Sequence, residues 1–296
     1  LPSPRSGRRT SLNGRYDGNY QVSDQMEVHK GRLEIARQDT MVTNPTTDIS
    51  GGYFLEPEGN TASDGLYFMS KQGCHIRIHD PKPKVINPRQ LNYIKAYINK
   101  FESALYGDEF AHAKRGYRQY TDTTSLIDWY LVQEISANPD GFWCSYIYKE
   151  RADERLYFGP IWDFDICWNN CSRMGDVSKR LAIQFGYGSN YTIKGWYTRM
   201  WEDPWFKQAV CQRYEQLREQ GLDEQMIAFV DSMAQVIRPS RIENFKRWSI
   251  NTKTYDEVFL FNTYDEYAEN VKSFIQVHNE YLSKEFHRRC GLVATK

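Results

Sequence analysis

The chain has 296 residues, 40% hydrophobic and 15% aromatic, with 38 Lys plus Arg against 38 Asp plus Glu. That much apolar side chain supports a packed core and excludes wholesale disorder. The balanced charge excludes a global field drawing the chain to nucleic acid or anionic lipid, and no apolar run approaches the roughly 18–20 residues that span a bilayer.

The opening "LPSPRSGRRTSLNG" carries basic residues but no apolar h-region, so it does not read as an intact signal peptide. Residues 1–11 are expected to lie outside the fold, as a leader or a truncated end. The N-terminal third then reads as β structure. "NGRYDGNYQVSDQMEV" combines Asn-Gly and Asp-Gly turn signals with apolar/polar alternation, the pattern of a hairpin. "GGYFLEPE" and "GLYFMS" are short aromatic-rich strands, and "CHIRIHD" alternates until Pro81 stops it.

Helical signals take over at Asn87-Pro88, an N-cap and first-turn pair, with Leu91, Ile94, Ile98, Phe101 and Leu105 on one face and Gly107 as the stop. A second helix is expected from Thr123 to Ala137, ended by Pro139. A β-like pair follows, "SYIYKE" and "RLYFGPIWDFD", joined by the charged turn "RADE". Beyond it, Asp203-Pro204 opens one helix, another runs from about Asp223 to Ile237, and a Thr263-x-x-Glu266 capping box starts the last. The layout is α+β, antiparallel strands first and a mostly helical part after them.

The six cysteines are too sparse for a disulfide scaffold and are expected as buried free thiols. Cys167 and Cys171 lack a second Cys/His pair at zinc spacing. His75 and His79 sit on a strand pattern that separates them too far to chelate. Neither GxxxxGK[ST] nor GxGxxG occurs, and no Gly-x-Ser-x-Gly marks a serine hydrolase.

The chemistry-bearing residues lie around the second helix. It ends in a turn holding Asn138 and Asp140, a strand starts near Ser145, and a second strand delivers Asp163 and Asp165. Paired as a hairpin, these segments bring three carboxylates to one rim. Magnesium takes oxygen ligands, usually one or two carboxylates plus substrate phosphates. A further aspartate kept off the metal can orient the proton of an attacking hydroxyl. The competing reading is a plain strand in which Trp162, Phe164 and Ile166 face inward and the two acids face water.

The order "SLIDWYLVQEISANPDGFWCSYIYKE" then "LYFGPIWDFDICWNN" resembles the core signature of the spore coat protein H (CotH) kinase family. "LNGRYDGNYQVSDQMEVHKGRLEI", "GGYFLEPEG" and "NPRQLNYIKAYINKFESALYG" upstream, and "WYTRMWEDPWFKQAVCQRYEQLREQ" downstream, extend the likeness from Leu12 to about Gln220. Residues 221–296 then form a helical extension of the same domain.

The resemblance implies an atypical protein-kinase-like fold, ATP with Mg, and phosphorylation of Ser or Thr on coat, surface or secreted proteins. Asp140 falls at the catalytic aspartate and Asp163 at a metal-binding one, with Asp165 supporting the same ion. Ser145 stands where some members have a metal-binding Asn, and Asp24 where relatives often have Glu. The region that normally precedes "NGRYDG" is missing, which leaves an incomplete nucleotide lobe. Two other functions stay open: a catalytically inactive surface or coat-assembly protein on the same fold, and a metal-dependent phosphodiester hydrolase using the same acids.

Overall fold

The computed structural model describes residues 6–23, 25–38, 44–59, 65–253 and 257–291. Asn13 and Gly14 both take left-handed φ, 49° and 77°, the backbone of a two-residue hairpin turn that suits twisted strands. They join β1, Ser6–Leu12, to β2, Arg15–Val22. Residues 6–11, expected to fall outside the fold, therefore lie in a paired strand, while residues 1–5 are outside the described residues. The strand paired with β2 precedes the Asn-Gly turn, and Asp17-Gly18, expected as a turn, lies within β2. Its hydrogen bonds, rather than its composition, make the basic segment a strand.

A second sheet has five strands, all antiparallel. β3 is Tyr53–Glu58, β4 Leu66–Met69 and β5 His75–Asp80. β6 is Ile147–Lys149 and β7 Leu156–Phe158. The order is β4-β5-β3-β6-β7, so β3 is central and all six of its residues are buried. Tyr53, Leu55 and Ile147 point into the main core, whereas Phe54 and Tyr146 pack with Val28, Leu33 and Ile35 on the other face.

The helices carry the larger share of the core. α1, Pro88–Tyr106, starts at the Asn87 cap with a reciprocal Gln90 box, satisfying two orphan amides at once. α2, Thr123–Ser136, is capped by Asp122 and packs Leu126, Trp129 and Tyr130 inward. α3, Ala182–Phe185, and α4, Ile193–Met200, follow a loop-rich stretch. α5, Pro204–Glu219, opens at Asp203, then come α6, Leu222–Val236, and α7, Arg238–Arg247. α8, Tyr264–Cys290, has the expected Thr263–Glu266 box and sends Phe274, Leu282 and Phe286 into the main core.

Two further expectations are corrected. Cys211 on α5 and Cys290 on α8 form a disulfide rather than two free thiols, while Cys74, Cys144, Cys167 and Cys171 are free. β7 ends at Phe158, because Gly159 takes φ 127° and Pro160 has no amide to extend a ladder. The Trp-Asp-Phe-Asp run is thus a loop and not a strand end.

Candidate active site

The carboxyl end of α2 sets the geometry. Pro139 cannot continue the helix, and Ala137 takes a left-handed φ of 50° while its amide still bonds to the Gln133 and Glu134 carbonyls. Asn138, fully buried, then uses both ends of its amide. Its Oδ1 accepts the Asp140 amide at 3.0 Å, closing a tight Asx turn. Its Nδ2 donates to Gln133 Oε1 at 2.9 Å and to the Asp163 carbonyl at 3.2 Å. A Cβ at Gly141 would stand 2.1 Å from Gln133 Oε1, so any larger residue there would push the Gln133 amide away from Asn138.

The Asp140 carbonyl accepts the Trp143 and Cys144 amides, which turns the chain toward β6. After β7 the chain leaves the sheet at Gly159, whose amide bonds to the Tyr146 carbonyl at 2.8 Å. Trp162 lies edge-on to the Tyr146 ring, 6.4 Å between centroids, and remains 41% exposed. Asp163 has φ 60°, a left-handed conformation that breaks any inward/outward alternation. The plain-strand reading, with every aromatic inward, therefore does not describe this segment. A non-glycine residue held at positive φ persists where its surroundings over-determine it, and here Asn138 holds its carbonyl.

The two segments bring Asp140, Asp163 and Asp165 together. The Asp163 carboxyl is pushed above the usual carboxylate range by burial, by the charge of Asp165, by a hydrogen bond shared with Asp165, and by Asp140. Asp140 is also raised, mainly by burial and partly by Asp165, with the Arg173 guanidinium pulling the other way. Crowded carboxyls of this kind hold a proton more tightly than an isolated one. A divalent cation replaces that proton with a stronger positive charge, so these oxygen donors fit a hard ion such as magnesium.

Ser145 stands next to Cys144, whose thiol feels the charge of Asp140. The serine is buried, its amide donates to the Pro57 carbonyl at 3.2 Å, and among the described residues its hydroxyl makes no hydrogen bond to the three acids. Asp24 lies outside the described residues.

The family model for CotH kinase protein matches residues 8–282. The chain belongs to the CotH kinase protein family. No curated protein matches it. The match begins inside β1 and runs into α8, so this CotH kinase family domain takes in the hairpin, the five-stranded sheet and the helices after it. No helix among the described residues is long and apolar enough to cross a membrane.

Two members of the site were not picked out from the sequence. Asn138 was legible as a turn former but not as the clamp on Asp163. Arg173, whose guanidinium sits 5.2 Å from the Tyr187 ring centroid, belongs to a short helical turn with no pattern to mark it.

Proposed function

We propose that this CotH kinase family member transfers the γ-phosphoryl group of ATP, with Mg, to a Ser or Thr hydroxyl of a coat, surface or secreted protein. The observation that carries the reading is the convergence of three carboxylates from two chain segments, tied by Asn138. Bound Mg–ATP would supply the phosphoryl group and neutralise the charge that develops on its oxygens.

The protein's own groups divide the remaining work. Asp163 and Asp165 would hold the ion. The effect of Asp165 on the Asp163 carboxyl supports placing both at one centre. Asp140, half-buried and held by the Asx turn, would accept and orient the acceptor hydroxyl's proton. Its raised affinity for a proton suits a base better than a surface carboxylate would be. Arg173, the cation beside Asp140, would offset negative charge at the rim. The Cys211–Cys290 disulfide supports an oxidising compartment, as a coat or surface protein meets.

One observation favours a second reading, a catalytically inactive coat-assembly role. Ser145 stands where some family members have a metal-binding Asn, and its hydroxyl makes no hydrogen bond to the three acids among the described residues.

Transfer of labelled γ-phosphate to an acceptor protein separates the two. The kinase reading expects Asp140→Asn to lower turnover by about 10²–10⁴-fold with Mg–ATP affinity kept, and Asp163→Asn to lose both. A wild-type chain that neither binds Mg–ATP nor transfers phosphate overturns the kinase reading in favour of the assembly role.

A further inference from the structure

A second set of metal-ligating side chains stands on the sheet, next to the three aspartates but sharing none of them. Glu56 and Glu58 are two residues apart on β3 and share one face. Cys144 forms a β-bridge with Glu58, which places the pair opposite each other. The ladder of β3 and β5 shifts between Phe54 and Leu55, pairing them with Asp80 and Ile78. His79 is the extra residue, and a bulge of this kind re-aims a side chain. It is aimed at Glu56, with His79 Nε2 2.5 Å from Glu56 Oε2.

Ligand atoms of Glu56, Glu58 and Cys144 all lie within 4.8 Å of one another. Cys144 Sγ is 2.6 Å from Glu56 Oε1. On a tetrahedral zinc centre, with bonds of about 2.0–2.3 Å, ligands stand roughly 3.4–3.6 Å apart. The three donors therefore need only a small adjustment to meet one ion. Both glutamates are more than nine-tenths buried. Glu58 Oε1 is buried and makes no hydrogen bond, with Arg77 Nε ion-paired to it at 3.5 Å, while the Tyr67 hydroxyl bonds to the same carboxyl group. A buried carboxylate oxygen in that state costs free energy that a metal bond would recover.

We propose that Cys144 Sγ, Glu56 Oε1 and a Glu58 oxygen form a second metal site that takes a borderline-soft divalent cation of the zinc class. A thiolate donor selects this class over magnesium. His79 donates to the outer oxygen of Glu56 and fixes its direction, as outer partners do at metal centres. Three protein ligands leave the fourth position open, the arrangement of a zinc ion that also binds water or a substrate atom. On binding, Cys144 releases its thiol proton to solvent and the metal–sulfur bond takes its place. The site goes beyond the magnesium reading, since none of its donors is among the three aspartates.

Cobalt(II) titrated into the full-length chain is the probe. The expected result is a thiolate-to-cobalt charge-transfer band that saturates at one equivalent, cobalt held by the aspartates adding nothing to it. That band should be lost in Cys144→Ser, weakened at least tenfold in affinity in Glu56→Gln, and unchanged in Asp163→Asn and Cys167→Ser. Zinc should displace the cobalt stoichiometrically. Absence of the band in wild type overturns the proposal, as does its survival in Cys144→Ser. Retention in Asp163→Asn keeps this test independent of the kinase reading. Circular dichroism of Cys144→Ser and Glu56→Gln confirms that a lost band reflects a lost ligand and not a lost fold.

Discussion

Asn138 donates a side-chain hydrogen bond to the backbone carbonyl of Asp163 across 25 residues of sequence, at 3.2 Å. The same amide holds the Asp140 N–H at 3.0 Å, so one side chain sets the spacing of two acids that the chain delivers separately. Asn138→Ala removes these bonds and the one to Gln133, leaving buried polar groups unpaired. The expected loss is about 1–3 kcal/mol of stability, read from urea unfolding. Mg-dependent nucleotide binding should fall more steeply than global stability does. A variant that loses stability but binds nucleotide as wild type would show the clamp to be structural alone.

Asp163 carries its own pH signature. Its proton affinity is raised in the folded protein by burial and by its acidic neighbours. A raised carboxyl stabilises the fold most below its unfolded pKa, and that contribution disappears as pH rises through the folded value. Above it, the ion-free protein holds crowded like charges. Asp163→Asn should therefore raise the metal-free melting temperature at pH 8, on the order of 1–2 °C, and asparagine also tolerates the left-handed backbone better. Mg affinity of the wild type should weaken as pH falls, because protons and the ion compete for the same oxygens. Calorimetry between pH 5 and 8 gives both readings.

Glu134 presents the same sign deeper in the core. Fully buried, it accepts the Ala182 amide at 2.5 Å and the Ile183 amide at 3.1 Å, and its pKa is pushed up from 4.5 to about 7 by burial. Its contribution is complete below 4.5 and drains away as pH rises through about 7. Glu134→Gln cannot ionise, but turns an NH₂ toward one of those amides. It should be less stable than wild type by about 1–3 kcal/mol at pH 5, with the gap narrowing toward pH 8. A gap that widens with pH would reverse the assignment.

The Cys211–Cys290 disulfide closes a loop of 79 residues. Loop-closure entropy for that length predicts about 4.5 kcal/mol of stabilisation. Unfolding of the Cys211→Ser/Cys290→Ser double variant, compared with wild type under non-reducing conditions, measures it. An unchanged denaturation midpoint would mean that the bridge adds nothing to helix packing already present.

Much of this was legible in the residues. Asn87-Pro88, Asp203-Pro204 and Thr263-x-x-Glu266 announce helix starts because a cap is a local device, satisfied within three or four residues. The acidic run at 163–165 was legible as chemistry but misread as strand, since only the turn of φ at Gly159 and Asp163 separates strand alternation from a loop. The basic segment before Asn13 gave no strand signal because its structure comes from pairing with β2. The meeting of Cys211 and Cys290 depends on how α5 and α8 pack, which no spacing encodes. His79, discounted beside His75, found its neighbour on another strand through a one-residue bulge.

The β1–β2 hairpin rests on α7. Tyr16 donates to the Ser240 carbonyl at 3.0 Å, the Asn19 amide bonds to Asn244 Oδ1 at 3.1 Å, and the Arg247 guanidinium reaches the Asp17 carbonyl at 2.8 Å. These partners are 224 to 230 positions apart. A ribosome adding about 5–20 residues per second leaves the hairpin without its seat for roughly 10–50 s. Throughout that interval its strand edges are open to passing chains, and a nascent-chain chaperone would find there a segment whose seat is still unmade.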